Sequence, residues 1–303
     1  MNILGKRYLF FGLSLIIIIP GLIILFTGGL PLSIDFTGGS LLEVSFTGAS
    51  PEPAEIIALY EGENIKDVQV QTSETGSYII RSEFLDNDVR DVILTSMTEN
   101  IGEPTVVRFD SVGPSIGEQV TSRGAQAIGL AAVLVVLFIA WSFRGVQNAF
   151  RYGISAILAM LHDVAIIFSV TAFGGLLFGW EIDSLFLTAL LTVIGFSMQD
   201  SIVVFDRIRE NANIYRRLEY ETLVNHSIIQ TLQRSINTQL MTVEFLLLAL
   251  AMFGGVTLQE FAVVLLVGLM SGTYSSIFVA APILVVWENK EWKTWFRRGE
   301  ATT

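Results

Sequence analysis

Six long apolar runs constrain this chain more than any other feature. They cover Tyr8–Phe26, Gly124–Trp141, Tyr152–Phe173, Leu185–Phe205, Ile236–Phe253 and Phe261–Trp287. A bilayer core of roughly 30 Å needs about 20 residues at a rise of 1.5 Å each, so every run is long enough to cross. The expected architecture is therefore an α-helical membrane bundle of six transmembrane helices. The first run follows Lys6 and Arg7 and contains Pro20-Gly21. Its apolar core exceeds that of a signal peptide and no small-residue cleavage site follows, so an anchor is expected. With 52% apolar and only 16% charged residues, the composition agrees with a membrane chain carrying a soluble insertion.

Orientation follows from lysine and arginine in the short loops. Lys6, Arg7, Arg144, Arg151, Arg207, Arg209, Arg216, Arg217, Arg234, Lys290, Lys293, Arg297 and Arg298 lie on one side, 13 of the 18 basic residues. The opposite short loops, Gly174–Asp183 and Gly254–Glu260, carry none. Both termini are expected in the cytoplasm. The chain then divides into a cytoplasmic start and first helix (1–30), an extracytoplasmic domain (31–122), helices two to six (123–288) and a cytoplasmic tail (289–303).

The outer segment Gly28–Ser122 holds 16 acidic residues against Lys66, Arg81, Arg90 and Arg108. Its pattern predicts strand Ser40–Phe46, helix Pro53–Tyr60, strand Lys66–Gln71, strand Ser77–Ser82, helix Asp86–Glu99 and strand Pro104–Asp110, punctuated by Gly48, Gly62, Gly76 and Gly102. That order is β-α-β-β-α-β, an inserted α+β domain of the ferredoxin-like kind. It holds no histidine or cysteine, and its carboxylates are scattered over helix faces. Neither a catalytic nor a metal site is expected, no cofactor is implied, and the chain is not expected to be an enzyme. The net charge of −11 argues against nucleic acid as a partner.

A charged side chain within lipid costs at least about 2.5 kcal/mol, so each one inside a span needs a reason. Asp200 lies six residues before Asp206 at the cytoplasmic boundary, about 9 Å inside. Arg234 opens the fifth run, and at matched depth the two could pair. His162 and Asp163 lie near the middle of the third run. Adjacent residues on one helix do not share a face, so Asp163 is expected to reach Ser, Thr or Gln groups on other helices instead. Glu244 interrupts the fifth run beside Thr242. Asp200, Arg234 and Asp163 form the expected proton path, with Gln199, Glu244, His162 and Asp206 as secondary candidates. Gly268-x-x-x-Gly272 makes a small-residue stripe suited to close helix packing. Between Arg207 and Gln233, Leu223, Ile228, Ile229 and Leu232 recur at helical spacing, predicting a helix lying on membrane lipid at the cytoplasmic interface.

Several motifs carry a resemblance to a known family: Ile34-Asp35-Phe36-Thr37-Gly38-Gly39, Val112-Gly113-Pro114, His162-Asp163, the block from Val193-Ile194-Gly195 to Asp206-Arg207-Ile208-Arg209-Glu210-Asn211, and Gly272-Thr273-Tyr274-Ser275-Ser276. Together, and in order along nearly the whole chain, they resemble the SecF family within the resistance-nodulation-division superfamily. The resemblance implies a bacterial inner-membrane subunit working with SecD beside the SecYEG translocon, with YajC and YidC as further partners. It implies use of the proton gradient to complete secretion of unfolded preproteins. It also carries the family's proton-path aspartate and arginine onto Asp200 and Arg234. The family commonly has Asn where this chain has Gln199, a Thr-Ser where it has Thr238-Gln239, and a threonine pair where it has Met241-Thr242; Glu244 is a further departure.

Two other classes compete. A small-molecule or lipid exporter of the same superfamily would usually need a second fused half and larger outer domains. An intramembrane aspartyl protease needs two close carboxylates, and its Gly-x-Gly-Asp signature is missing around Asp200.

Overall fold

A computed structural model describes residues 2–48, 50–73, 76–144, 148–239, 245–254, 256–291 and 293. The chain separates into two compact units, Leu32–Ala127 and Met1–Pro31 with Ile128–Thr303. In chain order the elements begin with a 3₁₀ turn, Leu4–Lys6, and α1, Arg7–Gly28. Next come α2 (Ile34–Thr37), β1 (Gly39–Phe46), α3 (Pro53–Gly62), β2 (Gln69–Thr72), β3 (Tyr78–Ser82), α4 (Asn87–Asn100) and β4 (Pro104–Val112). The remainder is helical: α5 (Pro114–Ser142), α6 (Ala149–Phe178), α7 (Ser184–Ile214), α8 (Tyr220–Gln239), α9 (Phe245–Phe253), α10 (Val256–Ser275), a π-helical turn (Ser276–Ala280) and α11 (Ala281–Glu288).

In the smaller unit four antiparallel strands lie in the order β2-β3-β1-β4. Strand alternation puts Leu42 and Val44 of β1 and Tyr78 and Ile80 of β3 into one core with Ile56 and Tyr60 of α3 and Ile93 and Met97 of α4. Local chemistry starts both helices. Pro53 opens α3 inside a Glu52/Glu55 capping box, and Asp86 caps α4 by accepting the Val89 N–H at 2.9 Å. Strand β2 begins at Gln69 rather than Lys66, because Asn64 and Asp67 turn the backbone left-handed just before it. Gly38 and Gly39 also take positive φ (72° and 124°). A Cβ on Gly39 would come within 2.7 Å of the Ser82 carbonyl oxygen, so glycine is required where β1 starts.

Among the described residues, five helical stretches are long and apolar enough to cross a membrane: Leu4–Gly28, Pro114–Ser142, Ala149–Phe178, Ser184–Ile214 and Leu258–Glu288. The expected run Ile236–Phe253 is not one described helix. It falls across the end of α8, residues 240–244 outside the described set, and α9, whose nine residues span only about 13 Å. Glu244 lies among the residues outside the described set.

Contacts tie each end of this bundle together. At one end the Ile3 N–H donates to Asn225 at 2.9 Å, Arg7 pairs with Glu221 (3.2 Å) and Glu291 (2.6 Å), and Arg151 pairs with Glu288. At the other, the Ile182 N–H donates to the Pro31 carbonyl at 2.7 Å and the Glu181 N–H to Glu260 at 3.1 Å. The chain's beginning and residues 288–291 therefore share one end. The expected interfacial helix is instead packed inward. Leu223, Val224 and Ile228 of α8 are buried with Phe205 and Ile208, because α7 continues past Phe205 to Ile214 and offers α8 an apolar flank. Asn211 then bonds Ser227 at 2.8 Å, leaving Ile229 exposed.

Candidate functional site

Helices α6, α7 and α10 meet along a seam of small residues. A methyl on Gly268 would overlap Val193 and press on Ile167, and one on Gly272 would lie 3.2 Å from the Ser197 Cα. The absence of side chains there lets α10 approach α6 and α7 closely enough for short polar groups to meet.

Asp163, 1% exposed, sits at the centre of that seam. Its Oδ2 accepts hydrogen bonds from Ser197 of α7 (2.5 Å) and Ser275 of α10 (2.6 Å), and its Oδ1 from Ser271 of α10 (2.6 Å). Among the described residues, the Ser, Thr or Gln groups that Asp163 is expected to reach on other helices are all serines. The expectation that His162 and Asp163 do not meet is corrected: His162 Nδ1 lies 3.0 Å from Asp163 Oδ1. Nδ1 is the ring nitrogen nearest the backbone, so it bends sideways onto its short neighbour. The imidazole stacks on Tyr274 with centroids 6.0 Å apart, and its Nε2 is buried without a partner among the described residues. Three hydroxyl donors and the imidazole Nδ1, whose role depends on the tautomer, thus surround the two carboxyl oxygens.

Asp200, 7% exposed, lies one turn beyond Ser197 on the same face of α7. Its Oδ2 accepts from Gln239 Nε2 of α8 at 2.9 Å and Thr273 Oγ1 of α10 at 3.2 Å. No ion pair joins it to Arg234 among the described residues, which corrects the expected pairing. Gln239 lies five residues beyond Arg234, about 7.5 Å deeper along α8, and it is Gln239 that comes level with Asp200. Arg234 is exposed, beside Asp206 and Arg209 in a cavity at the end of the bundle, and Asp206 pairs with Arg209 at 2.6 Å. Gln199 is exposed and makes no described bond to Asp200, so the amide at the aspartate comes from Gln239.

The two carboxylates thus share α7 and α10 as a common frame. Ser271, Thr273 and Ser275 alternate between them, and the π-helical turn starts at the next residue, Ser276. A π turn in a helix often marks a functional position. Protonating Asp163, whose two oxygens both have partners, turns an acceptor into a donor and obliges one neighbouring group to reorient, and α10 carries donors to both carboxyls. The participants that sequence reasoning passed over are Ser197, Ser271, Thr273, Ser275 and Gln239. The available signal was Ser271 and Ser275, four apart in an apolar helix and therefore on one face. Among the described residues no cluster of His, Cys, Asp and Glu is arranged to hold a metal.

The chain is similar to known proteins along nearly its whole length. The family model described as "Protein export membrane protein SecD/SecF, C-terminal" matches residues 93–290. The SecD/SecF GG motif model matches residues 23–49, which include Gly38 and Gly39. The protein translocase subunit SecF of Anaerolinea thermophila is 61% identical, over 99% of this chain and 98% of its own length. That of Thermobaculum terrenum is 44% identical with the same coverage. The crystal structure of SecDF from Thermus thermophilus superposes with a TM-score of 0.80 at 32% identity, covering 95% of this chain. This chain spans only 39% of that longer protein. Matched along nearly its whole length, the chain belongs to the SecF family of protein-export membrane proteins.

Proposed function

We propose that this chain is a subunit that works with SecD beside SecYEG, using the proton gradient to promote the late stages of preprotein export. Asp200 and Asp163 are its protonation sites, with Arg234 and His162 assisting, and no bond-breaking chemistry is involved. The chain sits in the bacterial inner membrane with both termini in the cytoplasm and six spans. The unit of about residues 31–122 is a ferredoxin-like domain on the outer side; the order β2-β3-β1-β4 and two covering helices support that assignment. YajC and YidC are further partners by family resemblance.

The observation that carries the reading is how the two carboxylates are held. Both are buried between helices, and hydroxyl, amide and imidazole groups hold them in place of a fixed counter-charge. Such a carboxyl can gain and lose a proton without leaving an orphaned cation behind, which a buried ion pair cannot do. The test is export into energised vesicles containing SecD, SecYEG and the variant. Asp200→Asn should insert and fold normally yet lose gradient-dependent stimulation, and Arg234→Met should lose it too. A double Asp200→Asn, Arg234→Met variant that restores stimulation would show that Asp200 need not titrate and refute the assignment. For orientation, a reporter after Asn211 should read cytoplasm and one in the Glu61–Asn64 loop the outer compartment.

A further inference from the structure

A cavity of about 530 Å³ lies between the end of α5, α7 and α8, and the proton path proposed above shares only Arg234 with it. Its size lies within the range of small-ligand sites, roughly 300–1,000 Å³. Three guanidiniums, Arg144, Arg209 and Arg234, face it together with one carboxylate, Asp206. Asp206 is already engaged with Arg209 at 2.6 Å. Arg144 lies over the Trp141 ring, 5.4 Å from its centroid, and Arg234 has no ion-pair partner among the described residues. Three guanidiniums thus face one carboxylate on the cavity wall, where the apolar length of α5 ends, with the Asp200 carboxylate acting on Arg234 only from a distance.

Guanidinium forks match the oxygens of a phosphate, and a pair of them across a cavity is the arrangement that phosphate recognition uses. The neighbouring surface indicates where the phosphate comes from. Leu134, Leu137, Phe138 and Trp141 of α5 are all exposed, Trp141 at 59%, and they lead away from the cavity as a continuous apolar face. A tryptophan at the end of such a face marks the membrane–water interface. We propose that this cavity binds the headgroup phosphate of an anionic phospholipid, held by Arg144 and Arg234, with its acyl chains along α5. The assignment to the cytoplasmic leaflet rests on the orientation proposed above; the binding does not.

The test uses the full chain in neutral detergent, observed by native mass spectrometry during titration with phosphatidylglycerol or phosphatidylcholine of identical acyl chains. Each cation near an anionic lipid contributes about fivefold, so one phosphatidylglycerol should be held about 25-fold more tightly than phosphatidylcholine. Arg144→Gln should weaken it about fivefold. Asp206→Asn should strengthen it by a similar factor because it releases Arg209, a gain that general loss of structure cannot mimic. Equal retention of the two lipids, or an Asp206→Asn variant that fails to tighten, would overturn the site. Displacement of the lipid by millimolar inorganic phosphate would overturn the lipid assignment in favour of a soluble anion. Failure of proton coupling in the export assay would leave all these results unchanged, so the two readings fail separately.

Discussion

The serine cage around Asp163 allows its charge to be measured through stability. Ser271→Ala and Ser275→Ala each delete one donor 2.6 Å from the carboxylate while leaving Ser197 and His162 in place. A hydrogen bond to a charged group is worth about 1.5–3 kcal/mol, so each deletion should cost that much and the pair about 3–6 kcal/mol. Neutral interhelical hydrogen bonds in membranes average only about 0.6 kcal/mol. In an Asp163→Asn background the same deletions should therefore cost about 0.6 kcal/mol each, since an amide offers the hydroxyls only a neutral acceptor. The assay is reversible unfolding in mixed micelles followed by helical circular dichroism, analysed as a double-mutant cycle. Equal serine costs in the two backgrounds would refute the cage as a device for holding charge.

Three further outcomes follow from other parts of the molecule. Gly268→Leu should destabilise the bundle by about 1–3 kcal/mol through overlap with Val193 and Ile167, whereas Gly12→Leu, at a position facing open space, should cost nothing in the same unfolding assay. The Tyr60 hydroxyl is buried without a partner among the described residues, so Tyr60→Phe should raise the stability of the smaller unit by about 1 kcal/mol, read as a higher thermal midpoint of the isolated domain (about Ser33–Ser115). Burial alone would raise the Glu291 carboxyl, but hydrogen bonds from Tyr8, Asn289 and Arg7, together with the Arg7 charge, outweigh it and hold Glu291 below its ordinary range. Because the folded value is the lower one, the stabilisation is present above about pH 4.3 and fades as pH falls through the folded value. The advantage over Glu291→Gln should be at most about 1 kcal/mol at pH 7, because the group is partly solvated, and should vanish in acid; an advantage that grew in acid would contradict the sign.

Five of the six expected spans and the strand–helix pattern of the smaller unit were legible because hydropathy and side-chain period are properties of neighbouring residues. Pro53, Asp86 and Gly38-Gly39 announce their elements for the same reason: capping and positive φ are decided within a few bonds. Asp163 and Asp200 stood out because a carboxylate in an apolar run is costly wherever the run goes. Their partners were not legible. Each residue along a helix turns the side chain by about 100° and advances it 1.5 Å, so which group meets Asp200 depends on the axial offset between α7 and α8. An offset of five residues exchanges Arg234 for Gln239. The inward packing of α8 depended likewise on how far α7 extends past Phe205, since the same apolar stripe suits a lipid surface or another helix equally well. Tertiary packing brought Ser271, Ser275 and Ser197 to one carboxylate through glycines that had announced only closeness, because a bare glycine surface fixes how near two helices come and leaves open which polar groups arrive together.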